Sequence, residues 1–410
     1  MKILLSAYAC EPNRGSEPGV GWNTALHLAE LGHEVWVLTC LGGKDAIESR
    51  LASAPVPNLH FVIFDAPSWI DQIIKGQLRY YIHYLGWQQR AYPIAKRLDL
   101  EQNFDIIHHV TFSSLQGGSW LWLIGKPFIF GPVGGGQIAP RAFKKYFMGY
   151  WRNERLRSIL NVKFTIFNPI TRLTISHADI VLFSNTETFF LAKQLSLKRG
   201  ELVLDSALSS DYCHFVHRTR SKNSILNILW VGNIYARKGL PLGLDALTKV
   251  SRQLKVILTV VGGGPLEGHI PGWIAKFGLQ DRVNYLGPIS WIELTKIYQK
   301  SHLFLFTSLR DAFGVQLLEA MAHSLPIITL DHHGARDHIP DNAAVKVPVT
   351  TPEETVQGIA EAIEYLYRNP EKAHQMGLAG YAFAKKQTWG KRAVQLTDYY
   401  RQISDKGMNE

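Results

Sequence analysis

The sequence predicts an α/β protein with two Rossmann-like, doubly wound domains that face one another across a cleft. Three observations support this fold class. The chain has 410 residues, more than one hydrophobic core usually serves. Short β-branched runs alternate with segments of helical length, as in parallel α/β sheets. The alternation lapses once, around Asp205–Ser224, and then restarts.

The first half contains six candidate strands. In chain order they are Ile3–Ala7, Glu34–Leu41, Phe61–Phe64, Asp105–Val110, Pro127–Phe130 and Ile180–Ser184. Between the first two, Trp22–Leu31 is predicted to be a helix that ends at Gly32. The long, glycine-bearing loop Cys10–Gly21 therefore lies at the carboxyl end of the first strand.

The second half repeats this pattern. Its candidate strands are Ile225–Val231, Val256–Val261, Val283–Leu286, Leu303–Phe306 and Pro326–Leu330, and its candidate helices are Leu240–Val250, Leu266–Phe277, Ile292–Lys300 and Val315–His323. We expect a first domain at 1–205, a linker at 206–224, a second domain at 225–385, and a C-terminal helix at 386–410 that packs toward the first domain. Open α/β sheets bind ligands at the carboxyl ends of their strands, so facing domains would hold a ligand between them.

Composition limits the classes of protein and partner. The formal net charge of +10 favours an anionic partner. The sequence has no zinc-finger, RNP or long basic-run signature, which argues against nucleic acid. Its three cysteines fit neither a zinc site nor a disulfide framework. No apolar run suits a bilayer span or a signal peptide. We expect a cytoplasmic protein that can still contact a membrane surface.

The sharpest local signal is the loop from Gly232 through Asn233 to Arg237, Lys238 and Gly239, between a strand and a helix. Cations oppose the positive end of a helix dipole, but a phosphate bound between them would reverse that effect. A solvated loop is an equally good interpretation. A second loop, Gly262–Pro265, also joins a strand to a helix, although glycine turns serve sheet packing as often as ligands.

Two carboxylates and two histidines are further candidates. Asp311 follows a strand, and Glu319 lies on the next helix among apolar residues, where a buried carboxylate needs a polar partner such as a sugar or ribose hydroxyl. Alternatively, Glu319 belongs to the wet stripe of an amphipathic helix. His108 and His109 end a first-half strand, and alternation along a strand lets at most one of them face a ligand.

These residues resemble a known family. The segment Asp311-Ala-Phe-Gly-Val-Gln-Leu-Leu-Glu319-Ala-Met-Ala resembles the acidic motif of glycosyltransferase family 4, in which two glutamates are separated by seven residues. The similarity continues, in the same order along the chain, through Gly15-Ser16-Glu17, Leu31-Gly-His-Glu-Val35, Asp105-Ile-Ile-His108, Ala178-Asp-Ile-Val181, Arg237-Lys-Gly239, Val261-Gly-Gly-Gly-Pro265 and Val283-Asn-Tyr-Leu-Gly287.

The resemblance implies a GT-B fold, with the donor bound mainly by the second domain and the acceptor mainly by the first. It implies a retaining hexosyltransferase in polysaccharide biosynthesis that uses a nucleotide diphosphate sugar as co-substrate, with no other cofactor and no catalytic metal. The alternative is an inactive relative that binds a nucleotide sugar or glycan. A third class, a nucleotide-sugar epimerase, would change a free donor without an acceptor.

The resemblance also implies roles by position. Lys238 would contact the diphosphate, Glu319 the ribose, Asp311 the donor sugar, and His108 or His109 the transferred sugar. The remaining expected donor contacts are Gly15, Ser16, Gly232, Asn233, Gly263, Gly264, Ser308 and the backbone amides of Phe313, Gly314 and Val315.

Three positions depart from the family pattern. Asp311 replaces a glutamate and is one methylene shorter. Asn233 replaces an arginine, a charge for which Arg237 is a candidate substitute. The first glycine loop reads Gly15-Ser16, with Gly19 and Gly21 following, so either pair is a candidate for the pyrophosphate contact.

Two stretches interleave basic and aromatic residues, Trp69–Arg90 and Arg141–Lys163. Such stretches can lie on an anionic membrane, here near a glycan or lipid-linked acceptor at the inner face of the membrane. The competing interpretation is that the aromatic residues belong to the core of the first domain.

Overall fold

The computed structural model describes residues 1–67, 77–163, 165–217, 220–221 and 224–407. Part of the stretch Trp69–Arg90 therefore lies outside the described residues. The strands, in chain order, are β1 Lys2–Ala7, β2 Glu34–Thr39, β3 Leu59–Ile63, β4 Ile106–Thr111, β5 Phe128–Val133, β6 Ile180–Phe183, β7 Gly200–Leu202, β8 Leu226–Val231, β9 Val256–Val261, β10 Val283–Tyr285, β11 Leu303–Phe306, β12 Ile327–Leu330 and β13 Ala344–Val347.

The helices follow the same alternation. They are α1 Ser16–Glu30, α2 Lys44–Ser53, α3 Gln77–Gln102, α4 Trp151–Ser158, α5 Pro169–His177, α6 Thr186–Ala192, α7 Leu240–Lys249, α8 Ile270–Lys276, α9 Trp291–Lys300, α10 Val315–Ala322, α11 His333–His338, α12 Pro352–Arg368, α13 Pro370–Ala384 and α14 Trp389–Gly407. The predicted helix Leu266–Phe277 is shorter in the structure, because a 3-10 turn at Glu267–His269 precedes α8.

The strands form two parallel sheets, which confirms the predicted fold class. The first sheet has the order β3-β2-β1-β4-β5-β6-β7, and the second has the order β10-β9-β8-β11-β12-β13. Each order reverses at one point, between β1 and β4 and between β8 and β11. Ligands bind doubly wound sheets outside the carboxyl ends of the strands at such a point.

The chain divides into two compact units. The first unit contains Met1–Gly136, Ile159–Ala207 and the C-terminal segment from Trp389, and the second contains Gln137–Ser158 and Leu208–Thr388. Within the first unit, α14 packs on α1. The buried side chains that α14 contributes to the core of this unit include Ala393, Leu396 and Tyr400.

The division differs from the predicted range 1–205 at one segment. Gln137–Ser158 belongs to the second unit although it lies between β5 and α5 of the first. Phe143, Tyr146 and Phe147 are buried in the hydrophobic core of the second unit, and the Tyr146 hydroxyl donates to Asp245 Oδ2 over 2.7 Å. The interpretation of these aromatic residues as core is therefore correct, but the core is not that of the first unit.

Candidate functional site

Two loops of the second unit meet where the sheet order reverses. β8 leads into residues 232–239 and β11 into residues 307–314. Gly239 has a φ of +67°, and a Cβ atom there would lie 2.1 Å from the Thr307 carbonyl oxygen, so glycine permits the two loops to touch. The Leu309 N–H donates to the Arg237 carbonyl over 2.7 Å. The fold thereby places the cationic loop against the acidic one.

Arg237 and Lys238 both face Asp311. Lys238 Nζ forms an ion pair with Asp311 Oδ2, and Arg237 Nη1 lies 3.5 Å from Asp311 Oδ1. Arg237 Nη1 also donates to the Arg310 carbonyl over 3.1 Å, and Ser308 Oγ donates to Asp311 Oδ2 over 3.3 Å. Two cations thus share one carboxylate, which leaves this group with a net positive charge.

The electrostatics favour an ionised Asp311. Burial would raise the pKa of Asp311, but Lys238 and Arg237 outweigh that effect and lower it to about 2. Burial lowers the pKa of Lys238, and the adjacent Asp311 opposes that change. Both members of the pair are therefore charged. The sequence indicated each of these residues separately but did not indicate that they pair with one another.

A second ion pair supports the acidic loop. Arg310 Nε lies 2.5 Å from Glu154 Oε1, and Arg310 Nη2 lies 3.1 Å from Glu154 Oε2. Both side chains are largely buried. Sequence reasoning missed Glu154, although it is the only acidic residue between positions 141 and 163. An isolated carboxylate in a basic stretch was the available signal.

The N-terminus of α10 lies directly after the acidic loop. Gly314 is its N-cap, with a φ of +104° and without a side-chain capping bond. Val315 begins the helix, and the ring of Phe313 is buried and meets the ring of His338 edge-on. The first N–H groups of a helix carry partial positive charge and bind anions. This end of the helix therefore adds to the positive potential near Arg237 and Lys238.

Glu319 is partly buried on α10. Its Oε2 accepts a hydrogen bond of 2.9 Å from the Tyr298 hydroxyl, a partner that sequence reasoning missed. Burial raises the pKa of Glu319, and the bond from Tyr298 opposes that rise. The wet-stripe interpretation is wrong for His323, which is fully buried and contacts the Glu319 carbonyl through Nδ1 at 2.8 Å.

The glycines after β8 and β9 bring two loops together. A Cβ atom at Gly262 would lie 2.0 Å from the Gly232 carbonyl oxygen, and the Ile234 N–H donates to the Gly263 carbonyl over 2.9 Å. The Gly264 N–H donates to a carboxylate oxygen three residues further on, over 3.0 Å. The packing interpretation of this loop therefore explains most of its glycines. Asn233 is exposed between these contacts.

In the first unit, the N-terminus of α1 follows the loop after β1. Gly15 is the N-cap, and Gly15 and Ser16 are both exposed. Ser16 has a φ of +59°, which is uncommon for a residue other than glycine. Gly19 and Gly21 are buried, and Cβ atoms there would lie 2.0 and 2.3 Å from backbone carbonyl oxygens of the preceding loop. Their role is close packing, so Gly15 and Ser16 remain the candidates for a ligand contact.

The two histidines of β4 are both buried. His108 Nδ1 lies 2.7 Å from the Tyr400 hydroxyl, and Nε2 lies 2.7 Å from the Gly131 carbonyl. Burial lowers the pKa of His108 to about 4 and that of His109 to about 3. His108 has no ring nitrogen left for a sugar, so its role is structural rather than the sugar contact we expected. His109 Nδ1 has no hydrogen-bond partner among the described residues, and His109 remains the candidate.

Two features of other protein classes are absent from the described residues. Over these ranges, no helix is both long and apolar enough to cross a bilayer. Within the same part of the chain, no three His, Cys, Asp or Glu side chains are grouped so that they could hold a metal ion.

Comparison with known proteins gives a match on the second unit. Residues 217–383 match the family model of the group 1 glycosyl transferases. One curated relative is the Arabidopsis thaliana phosphatidylinositol N-acetylglucosaminyltransferase, in one of its subunits, which is 31% identical over 157 residues; these are 38% of this chain and 35% of the relative. The chain spans less than half the length of the first curated relatives it matches.

Solved structures are similar over nearly the whole chain. Sucrose-phosphate synthase from Thermosynechococcus elongatus has a TM-score of 0.69 and 16% identity, covering 98% of both chains. Anabaena HepE in complex with UDP has a TM-score of 0.64 and 16% identity, covering 98% of this chain and all of the other. At this identity the likeness shows the fold alone. The GT-B fold implied by the sequence is confirmed.

Proposed function

We propose that the chain is a retaining glycosyltransferase of the family 4 type. It transfers a hexose from a nucleotide diphosphate sugar to a glycan or lipid-linked acceptor and needs no catalytic metal. The observation that supports this proposal is the meeting of Arg237, Lys238 and Asp311 beside the N-terminus of α10. The same loops lie within residues 217–383, the part of the chain that matches the group 1 glycosyl transferases.

The donor diphosphate is proposed to bind at the two cations. The carboxylate of Asp311 now neutralises part of their charge, and a diphosphate, which carries more negative charge, would compete for them. Asp311 would then turn its oxygens to hydroxyls of the donor sugar. The N–H groups of Gly314 and Val315 would face the phosphates, as helix N-termini do, and Glu319 would accept hydrogen bonds from the ribose.

Catalysis in this proposal is electrostatic stabilisation of the leaving group. When the bond between the anomeric carbon and the phosphate oxygen breaks, negative charge develops on the diphosphate, and Arg237, Lys238 and the α10 N-terminus stabilise it. The acceptor hydroxyl attacks the anomeric carbon on the face from which the diphosphate departs. Its proton passes to the departing phosphate oxygen, so that the products are the glycoside and the nucleoside diphosphate.

Ligand-induced stabilisation tests the donor part of this proposal. The wild-type protein is heated with UDP, GDP, ADP or dTDP, each with and without Mg²⁺. We expect at least one to raise the melting temperature without the metal, since a ligand at a hundred times its Kd adds about 2.7 kcal/mol of stability. The corresponding nucleotide sugars are then offered with and without glycan acceptors. No stabilisation by any of the four nucleotides would contradict the proposal.

The same assay separates the alternatives. Transfer to an acceptor with retention of anomeric configuration, followed by NMR, supports the retaining transferase. Binding without transfer or donor hydrolysis would favour the inactive relative, an alternative suggested by the substitutions at Asp311 and Asn233. Conversion of the free donor without an acceptor would favour an epimerase.

An anionic membrane is the proposed location of the acceptor. Arg141, Lys144, Arg152 and Arg155 of the second unit are exposed, as is the side chain of Leu156, so they would contact acidic lipid head groups at the inner face of a cytoplasmic membrane. The test is sedimentation with liposomes that contain or lack phosphatidylglycerol.

The liposome test has a charge-matched pair of variants. Arg152→Glu with Arg155→Glu should lose binding, whereas Lys276→Glu with Lys372→Glu, which changes the net charge equally at exposed sites, should retain it. Binding that is insensitive to the anionic lipid would remove this part of the proposal.

A further inference from the structure

Glu319 is a carboxylate in an apolar part of the second unit. Its neighbours on α10, Leu318 and Ala320, are fully buried. Among the described residues its carboxylate has one hydrogen-bond partner, the Tyr298 hydroxyl at 2.9 Å, and no ion pair. A carboxylate that is left without partners in such surroundings is strongly disfavoured. The Tyr298 bond is therefore the main polar stabilisation that the chain itself provides.

Tyr298 is held rigidly from another element. It lies on α9, is fully buried, and stacks on His323 with ring centroids 5.2 Å apart and planes 13° apart. It also contacts Phe304, with centroids 6.0 Å apart. His323 in turn contacts the Glu319 carbonyl through Nδ1 at 2.8 Å. Ring packing therefore fixes the direction from which the hydroxyl reaches Glu319.

We propose that Tyr298 is a positioning residue of the nucleotide site, which holds Oε2 of Glu319 and leaves Oε1 to accept hydrogen bonds from the ribose hydroxyls. This inference rests on the proposed function. An ionised carboxylate only accepts hydrogen bonds, and its two oxygens offer about four acceptor positions. A phenol on one oxygen still leaves room for a diol on the other. Loss of the phenol would let the carboxylate turn and would favour its protonated form.

The titratable groups around Glu319 come from three parts of the unit. Tyr298 belongs to α9, His323 follows α10 itself, and Tyr212 belongs to the segment that precedes β8. Tyr212 contacts the ring of His323 edge-on at 5.1 Å, and its pKa is raised by burial and then by the charge of Glu319. Burial raises the pKa of Glu319 while Tyr298 counteracts the rise, so removal of the Tyr298 hydroxyl should raise that pKa further.

Tyr212 provides a matched control. Its hydroxyl is buried and has no hydrogen-bond partner in the part of the chain that the structure describes. Tyr212→Phe therefore removes the same group from the same aromatic cluster without removing a bond to Glu319. Tyr298→Phe keeps the ring that stacks on His323, so the two variants differ mainly in the bond under test.

The experiment measures the affinity for UDP and for 2′-deoxy-UDP by calorimetry between pH 5 and pH 8; GDP or ADP and their deoxy forms replace them if they stabilise the protein more. We expect Tyr298→Phe to weaken UDP binding about tenfold at pH 7.5, as for a hydrogen bond to a charged group. The loss should be smaller for the deoxynucleotide. The acid limb of UDP binding should move to higher pH. Tyr212→Phe should match the wild type in all three respects.

The ratio of the two affinities distinguishes positioning from general structural damage. Phosphate protonation affects both nucleotides alike, so the ratio reports on the ribose contact. In the wild type we expect the preference for UDP to decline as the pH falls and Glu319 takes up a proton, a measurement that stands even if Tyr298→Phe fails to fold. A wild-type preference that does not vary with pH, or a Tyr298→Phe variant with unchanged affinities, would overturn the inference. Absence of any nucleotide binding by the wild type would instead overturn the proposed function.

Discussion

Glu154 holds Arg310 across 156 residues of sequence, through contacts of 2.5 and 3.1 Å. Arg310 directly precedes Asp311, and its carbonyl accepts a hydrogen bond from Arg237. α4, which contributes Glu154, therefore supports the loop that carries the candidate site. Arg310 also repels the two neighbouring cations, since Arg237 and Lys238 lie close enough to perturb it or to be perturbed by it. Glu154 compensates for that repulsion.

Glu154→Ala should destabilise the protein strongly. Removal of one partner from a buried ion pair leaves an uncompensated charge, which typically costs about 3–5 kcal/mol. The measurement is urea unfolding at neutral pH. Glu353→Ala is the control, since it breaks the exposed pair that Lys145 of the same segment forms, and it should leave stability unchanged. Equal stability of the two variants would show that Glu154 does not hold the loop.

Lys238→Ala should abolish most of the transferase activity. Loss of one preorganised donor to a developing negative charge typically lowers kcat by about 10²- to 10³-fold. Steady-state kinetics with the donor identified by thermal shift measure the effect. Lys249→Ala, at an exposed position at the end of α7, is the control and should retain activity. Turnover that is essentially unchanged in Lys238→Ala would refute the electrostatic mechanism.

Asp311 should contribute pH-dependent stability. Its pKa is about 2 in the folded protein, below the value of about 3.9 in an unfolded chain. The ionised form therefore stabilises the fold above about pH 4, and that contribution is lost as the pH falls from about 4 toward 2. Urea unfolding from pH 6 to pH 3 should show Asp311→Asn losing less stability in acid than the wild type. Parallel curves would contradict the assignment.

His108 should destabilise the folded protein in mild acid. Its pKa of about 4 in the folded protein lies below the unfolded value of about 6.5, so the unfolded chain takes up the proton first and stability falls as the pH drops between these values. For His108→Gln, the slope of unfolding free energy against pH in this interval should decrease by about 1.4 kcal/mol per pH unit, the value for one proton. Tyr400→Phe, which removes only a partner of His108, should retain a steep slope.

The sequence predicted the fold class and the positions of the site loops well. Alternating strand and helix signals are local, and a parallel sheet places the carboxyl ends of its strands at one edge. Arg237, Lys238 and Asp311 could therefore be assigned to the same edge before their contacts were known. Motif order along the chain supplied the rest of that prediction.

The contacts between distant elements could not be predicted in this way. The aromatic residues around Tyr146 showed that the segment would be buried, but hydrophobic pattern does not indicate which core a segment joins. Tyr298 was one apolar position of an amphipathic helix, and nothing local linked it to Glu319. His108 looked like a ligand because its strand position was right, whereas α14 occupies its ring nitrogen from the far end of the chain.

The passage of Gln137–Ser158 into the second unit has a practical consequence for anyone who wishes to dissect the molecule. A recombinant fragment cut at residues 208 and 388 would be continuous in sequence yet incomplete in structure, because it would lack Phe143, Tyr146 and Phe147 from its hydrophobic core. It would expose the apolar surface that these rings cover and would tend to aggregate. Adding residues 137–158 back through a designed linker should restore a soluble fragment.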